Sequence, residues 1–302
     1  MNARLVGLAA VAALGLAGCS FELNIGRGGG IPTSRYEIVP QDLPESPADA
    51  PVADVAAIDR MTGEELTEKC EFVKDGYKLL YRLHEPAKCE EDKRYPLVLF
   101  LHGAGERGND NTATLVHGVV PICKYAMKHG DAFVVAPQCP AGKKWVNQDW
   151  SVQSMRRPKA PSEEMVAVMA LLDDICAKYP IDRTRISVTG ISMGGFGTWD
   201  IVARKKGFFA AMMPICGGVD ETTAADYKDG IGIRFFHGSV DGAVNVEYSR
   251  RMDKALTDAG VVHGYTEYPG VNHDCWTRTY ANEDNLFWLL SRRRQLWSRK
   301  RK

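Results

Sequence analysis

The sequence predicts an α/β fold in which a mostly parallel sheet carries helices on both faces. Two observations support this prediction. Short, continuously apolar segments alternate along the chain with segments of helical periodicity, as expected of parallel strands that are buried on both sides. A small-residue turn at 190–194 also joins an apolar strand segment directly to a helical one. The sequence has no internal repeat, and no long insertion between the later strands indicates a large lid.

The elements of this domain follow one another from residue 67. A helix N-cap is predicted at Ser162, because Glu163 and Glu164 then stand at the positive end of the helix dipole. Pro121 interrupts the helical spacing of an earlier segment. The predicted strands are 77–83, 96–101, 132–136, 185–189, 208–215, 231–236 and 264–268, and the predicted helices are 116–129, 162–178, 196–205, 246–259 and 282–293.

The composition indicates one globular domain with added termini. Of the 302 residues, 45% are hydrophobic and 25% charged, which is sufficient for one large core. The net charge is zero, so no nucleic-acid partner is predicted. Residues 19–66 are rich in Gly, Pro, Ala and Asp and predict a flexible tether before a domain at 67–295. The tail at 296–302 is basic, and it is either simply solvated or in contact with an anionic membrane surface or polysaccharide.

The N-terminus resembles a bacterial lipoprotein signal. Arg4 supplies a positive charge, residues 5–16 form an apolar run too short for a typical spanning helix, and Leu-Ala-Gly precedes Cys19. In such signals the leader, here 1–18, is removed and the cysteine is lipidated. The resemblance therefore implies a protein anchored by Cys19 in the bacterial cell envelope, facing the periplasm or the exterior, and Ser20 favours the outer membrane. A plain secretory signal with an incidental cysteine is the alternative.

Seven cysteines follow Cys19, so at least one of them stays free even if the exported chain forms disulfides. Cys70 and Cys89 flank a predicted strand pair and are the simplest bridge to expect. Cys176 lies among helical apolar residues and is predicted to be a small buried hydrophobe. No C-x-x-C pair and no H-E-x-x-H motif occurs, so neither a metal nor a cofactor is predicted.

Ser192 is the candidate nucleophile. It stands at the apex of the G-x-S-x-G motif at 190–194, between a predicted strand and a predicted helix, which is the context that presents such a serine on a strained turn. Glycines two places away on either side leave room for the neighbouring chain. At the start of the helix, the dipole and the free N–H groups stabilise a developing negative charge. The alternative is a glycine-rich turn with a solvated serine.

A serine nucleophile needs a histidine to take its proton and a carboxylate to hold that histidine. In the α/β-hydrolase arrangement the order along the chain is Ser, then the acid, then His, each on a loop that follows a strand. Asp241 and His273 follow the strands at 231–236 and 264–268 and fit this order. Asp220 is the alternative acid. Asp274 adjoins the histidine, but neighbouring side chains rarely orient one another well.

Two backbone N–H groups should stabilise the oxyanion of an attacked carbonyl. One is expected at Met193, directly after the nucleophile, and the other at Ala104, in the loop after the strand at 96–101. The remaining histidines that were weighed do not fit the base: His102 precedes the serine, His237 is expected to form structural hydrogen bonds, and His263 is expected to be exposed.

Six motifs occur together and in order: FLHGAGERG at 100–108, APQCP at 136–140, GISMGGFGTW at 190–199, PICGG at 214–218, HGSVD at 237–241 and YPGVNH at 268–273. They resemble the dienelactone-hydrolase-like and carbohydrate-esterase family 1-like α/β-hydrolases, over nearly all of 70–295. The resemblance implies an α/β-hydrolase fold and ester hydrolysis through an acyl-enzyme, with Ser192, Asp241 and His273 as the triad. Dienelactone hydrolases proper use a cysteine nucleophile, and relatives often have a proline-containing loop after the acid, where this chain has Gly-Ala-Val.

Members of that group remove acetyl or feruloyl groups from plant polysaccharides, and others act on small esters. Trp145 and Trp150 lie in a loop expected near the site, where their rings could stack on a sugar or an aromatic acid. Surface packing of that loop is the alternative for both. The sequence therefore predicts a serine hydrolase that acts on acyl esters of carbohydrates or on small-molecule esters. A serine peptidase of the prolyl-oligopeptidase-like group and a non-catalytic binding module on a hydrolase scaffold are the alternatives.

Overall fold

The computed structural model describes residues 54–150 and 152–294. The predicted signal peptide at 1–18, the candidate lipidation site Cys19 and the basic tail at 296–302 lie outside the described residues. Within the described part of the chain, no helix combines the length and the apolar character needed to cross a bilayer.

A single eight-stranded sheet forms the centre of the described domain. The strand order is β1-β2-β4-β3-β5-β6-β7-β8. Strands β1 and β2 pair antiparallel, β2 is antiparallel to β4, and every other neighbouring pair is parallel. The strands are β1 Glu68–Lys74, β2 Tyr77–His84, β3 Tyr95–Leu101, β4 Phe133–Pro137, β5 Ile181–Ile191, β6 Ala211–Ile215, β7 Gly232–Gly238 and β8 Gly264–Tyr268.

Helices cover both faces of this sheet, as the sequence predicts. Successive residues of β3 point to opposite faces, so Leu97 and Leu99 enter one hydrophobic cluster while Val98 and Phe100 enter another. Helices α4, α5 and α6 contribute to the first cluster, and α3 and α8 to the second. The helices are α1 Val55–Arg60, α2 Gly63–Leu66, α3 Val119–His129, α4 Glu163–Lys178, α5 Met193–Arg204, α6 Glu247–Asp258, α7 Trp276–Ala281 and α8 Glu283–Ser291.

Helical structure is already present before residue 67, where the sequence predicts the domain to begin. Part of the expected tether at 19–66 forms α1 and α2, which pack on α3. Ile58 and Leu66 are only 6% and 5% exposed, and Glu64 pairs with the buried guanidinium of Arg82 at 2.6 Å. Thr62 caps α2 through a reciprocal capping box. The sequence did not predict these two short helices, because the segment is mostly polar. A few apolar side chains stabilise them by packing against α3.

Helix α3 starts later than the predicted 116–129. Gly118 has φ +74°, and a Cβ there would lie 2.3 Å from the Phe100 ring, so the chain turns at this point and the helix begins at Val119. Pro121 then falls in the first turn, where the missing N–H needs no partner. A 3-10 turn at Ala113–Leu115 precedes the glycine.

All seven described cysteines are free thiols. The expected Cys70–Cys89 bridge is therefore not formed: Cys70 is half-buried in β1, and Cys89 is exposed in the loop between β2 and β3. Cys176 is 6% exposed in α4 and packs with the core, as predicted.

Candidate active site

Ser192 stands on a sharp turn between β5 and α5. Its backbone adopts φ 51° and ψ −118°, a conformation that costs a non-glycine residue energy. The turn is tight because other backbone lies against it. A Cβ on Gly194 would be 1.8 Å from the carbonyl oxygen of Leu101, and one on Gly190 would be 2.5 Å from that of Gly194. The two outer glycines of the motif are therefore required by space.

The structure brings Ser192, His273 and Asp241 together from three separate loops. The Ser192 hydroxyl lies 2.9 Å from Nε2 of His273, and Nδ1 of His273 lies 2.7 Å from Oδ2 of Asp241. The side chain of Asp241 is fully buried, and that of His273 is 24% exposed. The serine hydroxyl can thus donate to Nε2 while Nδ1–H donates to the carboxylate, which is the geometry of a nucleophile, a base and its orienting acid.

The Asp241 carboxylate is surrounded by donors. Burial by itself raises its pKa, but hydrogen bonds from His237, His273 and the N–H groups of Val244 and Ala243 hold the pKa well below its usual range. The two backbone donors reach Oδ1 at 2.9 and 2.8 Å. The carboxylate is therefore ionised at neutral pH and can stabilise a protonated His273.

Two residues around this triad were not singled out for it by the sequence. His237 is fully buried, lies 3.2 Å from Oδ2 of Asp241, and binds the carbonyl of Val244 through the same Nε2 at 3.0 Å. Asn272 joins the acid loop to the histidine loop through its side-chain oxygen. The sequence marks His237 only as a structural hydrogen bonder, and a loop asparagine carries no signal of its own.

Each of the two expected oxyanion donors is the first residue of a helical segment beside the serine. Met193 is the first residue of α5, and Ala104 is the first residue of a 3-10 turn after β3. A Cβ on Gly103 would lie 3.6 Å from the Cβ of Ser192, so this loop passes directly beside the nucleophile. Arg107 donates to the carbonyl of Ala104 at 2.7 Å and holds the turn in place.

His102 is a buried anchor of the same loop. Its Nε2 accepts the N–H of Cys139 at 2.9 Å, and its Nδ1 lies 2.6 Å from the carbonyl oxygen of Gly103. The contacts define a neutral ring with the proton on Nδ1. Burial lowers its pKa to about 4. His102 therefore supports the loop as a neutral side chain.

The structure contradicts the prediction that Trp145 binds substrate. Its side chain is fully buried, and its indole N–H donates to the carbonyl of His102 at 3.0 Å. Trp145 is thus part of the core below the loop and presents no face to a ligand. Trp150 is only partly buried, with its ring 6.0 Å from that of Phe196 and the ammonium group of Lys144 4.4 Å from its centroid. Trp150 stays a candidate for substrate contact.

The alternative acids have other partners. Asp220 caps a 3-10 turn through Thr222 and accepts the N–H of Arg157 at 3.0 Å. Asp274 binds both the N–H and the hydroxyl of Thr277 at the start of α7. Neither carboxylate is bonded to His273. His263 is hydrogen-bonded to Asp253 of α6 at 2.9 Å. Its side chain is nearly buried, whereas the sequence predicted that it would be exposed.

One cysteine also adjoins the triad. The sulfur of Cys216, a carboxylate oxygen of Asp241 and a ring nitrogen of His273 lie within 4.8 Å of one another. Burial raises the pKa of the Cys216 thiol well above its usual range, so the thiolate that a metal would need is disfavoured. His273 and Asp241 are also hydrogen-bonded to each other. The three side chains therefore do not fit a metal centre, and Cys216 packs as a neutral thiol beneath the triad.

A strained serine between a strand and a helix, followed in the chain by an acid and a histidine at the same sheet edge, defines the α/β-hydrolase class. Comparison with known families narrows the assignment. The chain belongs to the phospholipase/carboxylesterase family, whose pattern matches residues 84–282. No curated protein sequence is significantly similar to it.

Solved structures share this fold. A thermostable esterase is 37% identical, with a TM-score of 0.69, and the alignment covers 76% of this chain and 64% of that esterase. The chain thus spans less than two thirds of the esterase's length. A CE1 ferulic acid esterase from Anaeromyces mucronatus is 16% identical over 74% of this chain and 89% of its own, with a TM-score of 0.51. Acylaminoacyl peptidase from Pyrococcus horikoshii is 13% identical over 77% and 43%, with a TM-score of 0.55. These two likenesses show the fold alone.

Proposed function

We propose that the protein is a serine carboxylic-ester hydrolase that works through an acyl-enzyme, with Ser192 as nucleophile, His273 as base and Asp241 as its orienting acid. The observation that carries the proposal is the continuous relay of hydrogen bonds, 2.9 Å from Ser192 to His273 and 2.7 Å from His273 to Asp241. The family assignment and the likeness to the thermostable esterase support the same reaction.

The chemistry follows from these positions. His273 takes the hydroxyl proton as Ser192 Oγ attacks the ester carbonyl, and the buried carboxylate of Asp241 stabilises the resulting imidazolium. The N–H groups of Met193 and Ala104 hold the oxyanion. His273 then returns the proton to the departing alcohol, which leaves an acyl group on Ser192. A water molecule, activated by the same histidine, releases the acid and restores the serine.

The substrates that we propose are acyl esters of carbohydrates, with an acetyl or a feruloyl group on the acid side. The motif resemblance to carbohydrate-esterase family 1-like enzymes supports this choice. Trp145 no longer does, because it is buried. Trp150, partly buried beside Phe196 on α5, is the remaining ring of the predicted pair, and we propose that a substrate contacts it.

Hydrolysis of p-nitrophenyl acetate tests the reaction. Ser192→Ala should lower kcat by about a thousandfold or more, because the acyl-enzyme cannot form. A fluorophosphonate probe should label Ser192 in the wild type and not in the variant. Ser154→Ala, an exposed serine on the loop that follows Trp150, is the matched control and should leave turnover and labelling unchanged. Turnover that survives in Ser192→Ala would refute the proposal, and a folded wild type that does not label would favour a binding module.

Ester and amide substrates should be compared in the same assay. A serine peptidase is the competing function, and acylaminoacyl peptidase shares the fold. The described residues 54–150 and 152–294 form one sheet domain without a propeller of the kind that restricts access in such peptidases. Cleavage of acetyl esters with no cleavage of peptide p-nitroanilides would support the esterase, and the reverse preference would favour the peptidase.

We also propose that the mature protein is tethered by a lipid on Cys19 in the bacterial cell envelope. The support is the sequence at 1–19, with its positive start, apolar run and Leu-Ala-Gly-Cys ending. Metabolic labelling with a clickable fatty acid, followed by membrane fractionation, tests it. Cys19→Ala should abolish both the label and membrane recovery, whereas a variant that stays membrane-bound would overturn the anchor.

A further inference from the structure

A second group of side chains lies against His273, on residues that the triad does not use. The ring of Trp276 meets the His273 ring edge to face, with centroids 5.2 Å apart and planes at 89°. The ring of His117 lies 5.3 Å from that of Trp276. Nε2 of His117 is 3.8 Å from a carboxylate oxygen of Glu106. These contacts form a continuous group of an indole, an imidazole and a carboxylate beside the base.

Three separate segments build this group, and each is positioned by the fold. Glu106 ends the 3-10 turn that carries Ala104, and Trp276 is the first residue of α7. His117 stands on the turn before α3, where Gly118 is pressed against the rings of Phe100 and Tyr280. Glu106 and His117 lie in the connection that follows β3, and Trp276 lies in the connection that follows β8. Both strands are parallel to β5 and β7, so these connections leave the sheet at the edge that carries the triad.

The group reaches from the oxyanion loop to the base. A Cβ on Gly103 would lie 2.9 Å from Oε2 of Glu106 and 3.6 Å from the Cβ of Ser192. The carboxylate of Glu106 therefore lies across Gly103, next to the nucleophile. Trp276 at the other end touches His273. A substrate bound at Ser192 thus has this group along one side.

The chemistry of the reaction says which part of an ester lies on that side. His273 must hand its proton to the oxygen of the leaving alcohol, so the alcohol has to stand within hydrogen-bond distance of Nε2. The carbonyl oxygen of the acyl group points instead to the proposed oxyanion donors, the N–H groups of Met193 and Ala104. Trp276, which packs on the His273 ring, is therefore a neighbour of the alcohol rather than of the acyl chain. His117 and then Glu106 extend the group from Trp276.

The composition of the group says which alcohol fits. The side chains of His117 and Glu106 are 31% and 14% exposed, so both are partly open to a ligand. A carboxylate accepts hydroxyl protons, an imidazole donates or accepts, and an aromatic ring packs on the C–H faces of a saturated ring. A simple alkyl alcohol offers no partner to either polar group, and leaving them unpaired beside a bound alkyl chain costs binding energy.

We propose that Trp276, His117 and Glu106 form the alcohol-side subsite and that it takes a polyhydroxylated alcohol, the sugar half of the ester. The inference rests on the proposed serine esterase function and deepens it. The subsite holds the sugar and takes no part in proton transfer. Its loss should therefore appear in KM for sugar esters more than in kcat.

Substrates with one acyl group and different alcohols isolate this contribution. The assay compares an acetylated methyl xyloside with ethyl acetate, in the wild type and in His117→Ala and Glu106→Gln. For each variant, kcat/KM for the sugar ester relative to ethyl acetate should fall about tenfold, which corresponds to one lost hydrogen bond to a charged or strongly polar group. The fall should come mainly from a higher KM.

Val116→Ala is the matched control, because Val116 stands on the same turn as His117 and is 64% exposed. It should leave the ratio unchanged. Trp276→Phe keeps an aromatic ring against His273 and covers the case in which a smaller residue there disturbs the fold. Circular dichroism and a thermal melt establish that each variant is folded. Direct binding of the acetylated xyloside to Ser192→Ala protein, with and without His117→Ala, gives the affinity without turnover and should weaken by the same factor.

Three results would overturn the inference. One is an equal loss on both esters, which would make the group a positioning device for His273 or for the oxyanion loop. Another is an unchanged ratio in both variants. The third is a wild type that hydrolyses ethyl acetate but not the acetylated xyloside. Each of these leaves the serine esterase reaction standing, because that reaction is tested separately by Ser192→Ala turnover, by fluorophosphonate labelling and by the comparison of ester with peptide substrates.

Discussion

The side-chain oxygen of Asn272 accepts the backbone N–H of Gly242 at 3.0 Å, and this bond ties the loop of the acid to the loop of the base. The same oxygen accepts the N–H of His273 at 2.8 Å. A second link lies beside it, where the hydroxyl of Ser239 accepts the N–H of Gly270 at 2.8 Å. Asp241 and His273 are 32 residues apart in the chain, so their relative position depends on such links between the loops.

Removal of this link should lower the rate more than the stability. In Asn272→Ala, two backbone N–H groups lose their acceptor, and His273 is held less firmly against Asp241. We expect kcat on p-nitrophenyl acetate to fall about tenfold, at roughly one hydrogen bond's worth of free energy, with the melting temperature changed by a few degrees at most. Asn245→Ala, which removes a similar side-chain cap on the N–H of Glu247, is the control and should keep its rate. An Asn272→Ala enzyme with the wild-type rate would contradict this role.

Gly194, the last glycine of the G-x-S-x-G motif, should not tolerate even a methyl group. In Gly194→Ala the new Cβ would meet the Leu101 carbonyl at 1.8 Å, so β3 and α5 would have to move apart. We expect a loss of about 3 kcal/mol or more in the free energy of unfolding, or no folded protein. Gly105→Ala, whose Cβ meets nothing within 4 Å, should change it by less than about 0.5 kcal/mol. Urea unfolding of the two variants measures the contrast, and equal stabilities would show that the elbow can relax.

Stability should fall in acid because of His102. Burial lowers the pKa of His102 from 6.5 to about 4 in the folded protein. Between these pH values the unfolded chain binds a proton that the folded chain does not, so the contribution is fully present above about pH 6.5 and is lost as pH falls towards 4. The complete loss is about 3 kcal/mol.

Comparison with His102→Asn isolates this effect, because asparagine keeps a donor near Gly103 but does not titrate. The free energy of unfolding, measured in urea at pH 7.5 and pH 4.5, should decrease by about 2 kcal/mol more in the wild type than in the variant. Contributions from other titrating groups cancel in the difference. The same decrease in both proteins would show that His102 is not the group responsible.

The two tryptophans of one loop should behave differently. Trp145→Ala removes a fully buried side chain and should cost about 3–5 kcal/mol of stability, whereas Trp145→Phe, which loses mainly the bond to the His102 carbonyl, should cost about 1–2 kcal/mol. Trp150→Ala should cost less stability than Trp145→Ala, because the Trp150 ring is only partly buried against the core, and it should raise KM for a feruloyl ester severalfold. Thermal melts and Michaelis kinetics on the three variants test this division. A Trp150→Ala enzyme with unchanged KM would remove Trp150 from the substrate site.

Much of the fold follows from local patterns. Buried parallel strands such as β3 are uninterrupted apolar runs, and the sequence predicted this strand. Three adjacent residues beginning at Ser162 predicted the capped start of α4, and the structure has this cap. The grouping of Ser192, Asp241 and His273 follows from a rule of topology: loops that leave the same edge of a parallel sheet in a fixed order place their side chains together.

Other features could not be predicted in this way. The helices at 55–66 have the polar composition of a tether, and packing against α3 stabilises them. An aromatic residue in a loop near the site, such as Trp145, is typical of a ring that stacks on a ligand. Trp145 is buried only because its loop runs beneath His102. Asn272 and the group around Trp276 owe their positions to contacts between loops that are remote in sequence.

The sequence by itself determined the order and type of the central elements and the three residues that meet at the turn of Ser192. Periodicity, small-residue motifs and chain order are enough for that, because they act within one element or through one rule of connection. The tertiary structure alone decided which aromatic side chains face the core and which face the reacting histidine. It also decided how the loops are held to one another. Those properties depend on distances between side chains far apart in the chain, which only the packed sheet and its helices set.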